Sequence, residues 1–508
     1  MDTARRALAG GDLAAVETLC AEALARAPEN GAAWTLLAET ALQRNRLDAA
    51  IVCTERAVAL VPRDPIAHIL RAKCLIASGE LGQACISAET AARLNATNPE
   101  SADALGAIFG LLGQHQRAAE LFRLAVAARP NVPQYLFNLA ATERMIGMLD
   151  AADGHCRAAI KLDCHYSLAH YLRADLRIQT PERNHIAEME GLIVENALGW
   201  KGAVMMHFAL AKELEDVGQH ARAFAHVVAG SDLQQRSANY DCRADISLID
   251  EIIRTQTRAW LSSLPAGFTA SDPVFVAGLP RTGTTLVERI IAGHSAMISV
   301  GETGAFSAEL RRARKTNPRK PDMADMGGRY VDVVTALRAP GGLRLIDKTL
   351  QNYLHCGIIH AALPRAKIIL LQRHPMDACW AMYKAHFQGI FSFSYNQLQL
   401  AEYYLAYRRL AQHWKEALPP HALMEVRYEN IVRDPAAQSR ALIEFIGLPW
   451  EDGVLNFHES RAPSATASAV QVRRPVYTSS IGNWRRHKEP LMQLYARLAR
   501  EIPREELA

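Results

Sequence analysis

The chain has 508 residues, more than one ordinary domain holds, and 49% hydrophobic with 22% charged residues is the balance of a soluble globular protein. A net charge of +4, from 57 basic and 53 acidic residues, excludes bulk attraction to nucleic acid or to a membrane surface, and no run reaches the roughly 18 apolar residues of a membrane span. Nine cysteines, with no Cys-x-x-Cys pair and an odd total, exclude a disulfide framework and a structural zinc site, and predict reduced thiols in a cytoplasm. The segment Met1–Arg6 leads into a short, charge-interrupted helical pattern, so a signal peptide is not expected.

In chain order, the first feature is a repeat with a period of 34. Small residues recur at Ala38, Ala72, Gly106 and Ala140, at Ala50, Ala84, Ala118 and Ala152, and at Ala57, Ala91, Ala125 and Ala159. Pro28, Pro62 and Pro130 mark helix ends. Two helices per unit, crossing closely where side chains are small, account for all three registers. The pattern resembles the tetratricopeptide repeat. That resemblance implies an α-solenoid, serving either as a concave surface for a peptide or protein partner or as a plain spacer. Ala23 and Pro28 extend the frame backward, Ala174 continues it, and a shifted unit follows with Ala211, Ala223 and Gly230. The array is expected over 1–235. A helical connector is expected over 236–270, ending in Leu264-Pro265-Ala266-Gly267.

From 271 to the end, short apolar runs alternate with helical stretches, which predicts an α/β domain with a parallel sheet. Strands are predicted at 273–278, 297–300, 343–346, 367–371 and 422–427. The first runs into Gly278-Leu-Pro-Arg-Thr-Gly-Thr-Thr285, followed by the helical pattern Leu286, Val287, Ile290, Ile291. The spacing Gly278-x4-Gly283 is that of a P-loop, which aims backbone N–H groups and a helix N-terminus at an anion. Thr284 stands where a nucleotide triphosphatase carries Lys, and the cation of the loop is Arg281. The expected ligand is therefore a phosphate-like group other than the γ-phosphate of a triphosphate. The later strands end in Gly301-Glu302-Thr303, Asp347-Lys348-Thr349, Arg373-His374-Pro375 and Arg427-Tyr428-Glu429. Ligands of parallel α/β sheets sit at the carboxyl ends of the strands.

Pro280-Arg-Thr-Gly-Thr-Thr285, Gly301-Glu302, Asp347-Lys348 and Arg373-His374-Pro375 resemble the sulfotransferases that use 3′-phosphoadenosine 5′-phosphosulfate (PAPS). The nearest resemblance is to the protein-tyrosine sulfotransferase branch and its bacterial repeat-fused relatives. Gln471-Val-Arg-Arg-Pro-Val-Tyr477 and Gly482-Asn483-Trp484 resemble the same branch, so the likeness spans about 271–490. It implies a P-loop-like phosphosulfate-binding loop formed by Arg281, Thr282, Gly283, Thr284 and Thr285. It further implies that Arg281 bridges the sulfuryl group and the leaving phosphate, that Lys348 reaches the bridging oxygen, and that Glu302 is the general base. Arg373, Tyr428 and Ser468 are implied as further PAPS contacts, Arg373 at the 3′-phosphate. No metal is implied, and no His/Cys/Asp cluster has metal-ligand spacing. The implied acceptor is a hydroxyl, of a protein tyrosine before a carbohydrate or phenol.

Two positions depart from the family pattern: Ala381 stands where a Ser is expected, and Asn483 where a basic residue is common. They leave open a non-catalytic scaffold with a decayed transferase domain. A P-loop phosphotransferase is the weaker alternative, since Thr284 lacks the required ammonium. Arg311, Arg312, Arg314, Lys315, Arg319 and Lys320 form a basic cluster, either a solvated loop or a funnel for an acidic peptide or glycan acceptor.

Overall fold

A computed structural model describes residues 1–94, 98–195, 198–317, 321–338, 342–459, 462–463, 470–473 and 477–507. The first half is the predicted helical array. Gly31–Gln43 pairs with Leu47–Leu60, Pro65–Ser78 with Leu81–Arg93, Pro99–Leu111 with His115–Ala128, and Pro133–Ile146 with Leu149–Leu162. The alanines of all three registers are 0% exposed. A Cβ on Gly106 would stand 2.8 Å from the Phe122 ring, so the crossing tolerates nothing larger than hydrogen there. Helix starts follow local chemistry: the Asp64 and Asn98 side chains accept N–H groups of the first turn, each ahead of a proline at the first helical position. Gly79 and Gly147 close their helices in the left-handed region.

The fifth unit is irregular. Its first helix, Ser167–Asp175, has nine residues, and the chain then runs through an isolated Thr180–Arg183 bridge to Ile186–Val194. Thr180-Pro181 keeps the helix from resuming there, since proline pushes the preceding residue out of helical geometry. Long helices Gly199–Asp216 and His220–Ala238 follow, then Arg243–Thr255 and Arg258–Ser262. Among the described residues, no helix is long and apolar enough to cross a membrane.

The second half is built on five parallel strands: β1 Val274–Gly278, β2 Met297–Gly301, β3 Arg344–Asp347, β4 Lys367–Gln372 and β5 Leu423–Arg427. Their spatial order is β2-β3-β1-β4-β5. Alternate side chains feed two layers. Val274, Val276, Ile346 and Ile369 pack with Ile290, Ile291 and Leu442, while Phe275, Ala277, Ile368 and Leu370 pack into the layer of Phe306, Tyr330 and Trp414. After β1 the chain turns toward β2, and after β4 toward β5. The direction of winding thus reverses between β1 and β4, and a crevice opens at their carboxyl ends.

The array lies against this sheet domain rather than extending away from it. Phe224 stacks on Trp380 with ring centres 5.6 Å apart. Glu215 accepts from the Lys384 ammonium with both oxygens at 2.7 Å. Near the other end, a Cβ on Gly79 would stand 2.7 Å from that of Ala308.

Candidate active site

The loop after β1 forms the turn that its glycines suggest. Gly283 (φ 100°) caps helix Thr284–Ala292, and Arg281 itself takes a left-handed conformation (φ 65°). The Thr282 hydroxyl donates to the Leu279 carbonyl at 2.7 Å, so it is spent on holding the turn rather than offered outward. Thr284 and Thr285 are buried in the first turn of that helix, whose backbone N–H groups point out of its N-terminus. A cation other than lysine stiffens the loop: Arg373, at the end of β4, donates from Nη1 to the Arg281 carbonyl at 2.8 Å.

Arg373 is held from three sides. Its second amino group donates to the Ser480 carbonyl at 2.8 Å, and its guanidinium lies 4.8 Å from the centre of the Tyr428 ring. The Tyr428 hydroxyl meets Ser480 Oγ at 2.8 Å. The same ring lies against the loop, where a Cβ on Gly283 would stand 2.5 Å from it. Arg281, Gly283, Arg373 and Tyr428 are therefore one constellation, at the winding reversal. Buried Arg373 Nε and both ring nitrogens of His374 have no hydrogen-bond partner among the described residues. Ser468 lies outside the described residues.

A second group sits at the ends of β2 and β3. Lys348 is not the surface lysine that its place after a strand suggests, being 1% exposed. Its ammonium donates to Glu302 Oε1 and stands 3.9 Å from Glu288 Oε2. Glu302 is the exposed partner, at 40%, so the pair opens to solvent on the carboxylate side. Beneath it, Asp347 is fully buried and accepts from the Thr349 N–H (2.8 Å), the Asn352 amide (3.1 Å) and the Tyr330 hydroxyl (3.0 Å). Burial pushes the Asp347 carboxyl up from its ordinary value, against these hydrogen bonds. Asp347 therefore fixes the strand end from which Lys348 projects. Glu302 does not cap the next helix; Gly304 occupies that position, and Thr303 Oγ1 accepts the Ala305 N–H.

Asp377, one helical turn after Arg373, accepts the N–H groups of Gly482 (2.6 Å) and Trp484 (3.2 Å). Ala381 is buried on helix Pro375–Tyr383. Asn483 turns to the array, its amide 3.5 Å from Glu215 Oε1. Of the basic cluster, Arg311, Arg312, Arg314 and Lys315 lie on helix Ala305–Thr316 rather than a loop, and Arg319 and Lys320 lie outside the described residues. Arg312 is engaged by Glu309 (2.7 Å) and Asp325 (2.8 Å), which weakens the picture of free cations. Glu288, Ser480 and Asp377 carry no motif that marks them in the sequence. Among the described residues, no group of three or more His, Cys, Asp or Glu is placed to hold a metal ion.

Comparison with known proteins agrees with this architecture. Residues 273–452 match the model of the Sulfotransferase family, and residues 7–74 that of the Tetratricopeptide repeat. An uncharacterized protein of Aquifex aeolicus (strain VF5) is 28% identical over 326 residues, 60% of this chain and 43% of that one. Protein-tyrosine sulfotransferase 1 of Danio rerio is 26% identical over 234 residues, 42% of this chain and 65% of that one. The chain thus spans less than two thirds of either relative. The sulfotransferase domain of the Synechococcus PCC 7002 olefin synthase aligns at 16% identity and a TM-score of 0.33, over 47% of this chain and 98% of that one. The chain carries a sulfotransferase-family domain behind a tetratricopeptide-repeat array.

Proposed function

We propose that this protein transfers the sulfuryl group of PAPS to a hydroxyl acceptor by in-line displacement, with Glu302 as general base. The observation that carries the reading is the Lys348–Glu302 contact beside the loop of Arg281. A buried ammonium is held by the carboxylate that is to take a proton. When the donor nucleotide binds, Lys348 moves its hydrogen bond to the oxygen bridging sulfur and phosphorus, where charge grows as that bond breaks. That exchange releases Glu302 to accept the proton of the attacking hydroxyl. Arg281 spans the sulfuryl group and the leaving phosphate, since a planar guanidinium suits a planar, anionic transition state.

The donor's 5′-phosphosulfate is assigned to the N–H groups of Thr282, Gly283, Thr284 and Thr285, and its 3′-phosphate to Arg373 beside Tyr428. The unpartnered Arg373 Nε suits an anion there. Ala381 withholds one hydroxyl, a loss of about 0.5–1.5 kcal/mol. Ser468 is retained as a PAPS contact on sequence resemblance. We assign 1–235 to the array, 236–270 to the connector and 271–508 to the transferase domain. The scheme uses no metal. Tyrosine of a protein is the favoured acceptor, because the array suits a polypeptide, and all nine cysteines are unpaired, which suits a cytoplasmic setting.

Calorimetric titration with 3′-phosphoadenosine 5′-phosphate, with AMP and ATP as controls, tests the reading. Micromolar binding of the bisphosphate with weak binding of the other two is expected. Equal or absent binding of all three would leave a scaffold.

A further inference from the structure

A concavity of about 290 Å³ lies where helix Arg243–Thr255 meets the loop that follows helix Pro375–Tyr383. Its wall includes Tyr240, Asp245, Phe391, Phe393 and Tyr403, and among the described residues no Lys, Arg or His lines it. Four aromatic rings and one carboxylate are the groups that an organic cation prefers, since ring faces are electron-rich and the carboxylate completes the pairing. Gln351 and Leu354 also line it, from the short turn Leu350–Leu354 that follows Lys348 and Thr349.

The rings are held in place. Phe393 stacks on Tyr403 with ring centres 3.8 Å apart, and the Tyr403 hydroxyl meets that of Tyr353 at 2.7 Å. Phe391 stands edge-on to Phe393 at 6.0 Å and to Phe387 at 5.3 Å. The backbone that carries it is strained: Gln388 (φ 52°) and Phe391 (φ 57°) both take the left-handed conformation that side chains disfavour, with Gly389 (φ 87°) between them. The Ser392 hydroxyl donates to the Gly389 carbonyl at 2.9 Å and pins the loop. Core burial does not account for that strain, since Phe391 is only half-buried and Ile390 is 59% exposed.

Asp245 lies in the first turn of helix Arg243–Thr255, where the helix dipole favours a negative charge. Among the described residues its carboxylate accepts one hydrogen bond, from the Tyr240 hydroxyl, and enters no ion pair. The neighbouring cation, Arg243, is taken by Asp241 at 2.7 Å. The pocket therefore keeps a negative charge among aromatic rings with no cation to match it.

We propose that this pocket binds an organic cation, an alkylammonium or guanidinium group, paired with Asp245 and set against Tyr240, Phe391, Phe393 and Tyr403. A lysine or arginine side chain of a polypeptide and a free amine share this chemistry. Binding here needs no nucleotide, so the proposal stands apart from the PAPS reading.

The experiment titrates the full chain with n-butylammonium, butylguanidinium and the neutral control 1-butanol, followed by ligand-observed NMR. Millimolar binding of both cations, about 10-fold tighter than that of the alcohol, is expected. Asp245→Asn keeps the side-chain size and an acceptor for Tyr240, and is expected to remove that preference while leaving the alcohol unchanged. Ile390→Arg sets a tethered guanidinium on the exposed rim, away from the core, and is expected to weaken both cations several-fold. It decides the matter if Asp245→Asn does not fold. Equal affinity of cations and alcohol for the unaltered chain, or a cation preference that survives both substitutions, overturns the inference. N-acetyl-Gly-Lys-Gly amide identifies the source: it binds more tightly than n-butylammonium if the cation belongs to a polypeptide, and no more tightly if it is a free amine.

Discussion

A lysine that is 1% exposed beside two carboxylates needs a reason, because its charge is costly to bury without compensation. Glu302 and Glu288 compensate Lys348, and the proposed exchange of Glu302 for a nucleotide oxygen makes the arrangement functional. Lys348→Met is therefore expected to lower turnover by about 10²–10³-fold. Glu302→Gln is expected to lower turnover while leaving bisphosphate affinity within a few-fold, because the amide keeps the shape and loses the basicity. Single-turnover rates set beside calorimetric affinities separate the two, and a Glu302→Gln protein with full turnover removes the base assignment. At Gly283, φ of 100° and the Tyr428 ring 2.5 Å from a would-be Cβ act together. Gly283→Ala should push Tyr428 off Arg373 and weaken bisphosphate binding by at least 10-fold; affinity equal to that of the unaltered chain would mean that the ring is incidental. The motif residues were legible because each rides at the end of a strand. The burial of Lys348 was not, since it depends on Glu288, which sits in a helix and carries no signature of its own.

Between elements, aromatic and charged contacts form a seam that joins the end of the array to the transferase half. Phe224, on helix His220–Ala238, is 8% exposed and stacks on Trp380 of helix Pro375–Tyr383. Phe224→Ala should cost about 3–5 kcal/mol through lost burial and the remaining cavity. Because the ring spans both halves, unfolding should also become less cooperative, separating into two transitions in a denaturant titration. A single transition at an unchanged midpoint would show that other contacts hold the halves. The regular units could be read from sequence because every register alanine sits at a helix crossing, where only a small side chain fits. The strands could be read because β1 and β4 are apolar runs bounded by polar ends. The seam could not, since Phe224 and Trp380 each read as an ordinary core residue.

Across the whole molecule, buried and half-buried histidines set a pH dependence. Burial, the largest cause in each case, pulls His207, His355, His386 and His487 down from an ordinary 6.5 to about 4. Between those values the unfolded chain binds protons that the folded chain refuses, so stability falls as pH falls from 6.5 toward 4. Two of these rings lie at the seam: His386 packs among Tyr171, Phe208 and Tyr395, and His487 against Trp380, Phe224 and His220. Glu215 adds a second, more acidic step. Burial would raise its carboxyl, yet Lys384, His487 and His220 together hold it below its ordinary value. Its contribution is present above the ordinary carboxylate range and is lost as pH falls through the depressed value. The midpoint of thermal unfolding is thus expected to drop by several degrees between pH 6.5 and 5, before any carboxylate of ordinary pKa is protonated. His487→Phe should flatten that slope, because phenylalanine keeps a ring beside Trp380 and Phe224 and takes up no proton. If the variant and the unaltered chain lose stability equally over this range, the seam histidine is not a source of the dependence.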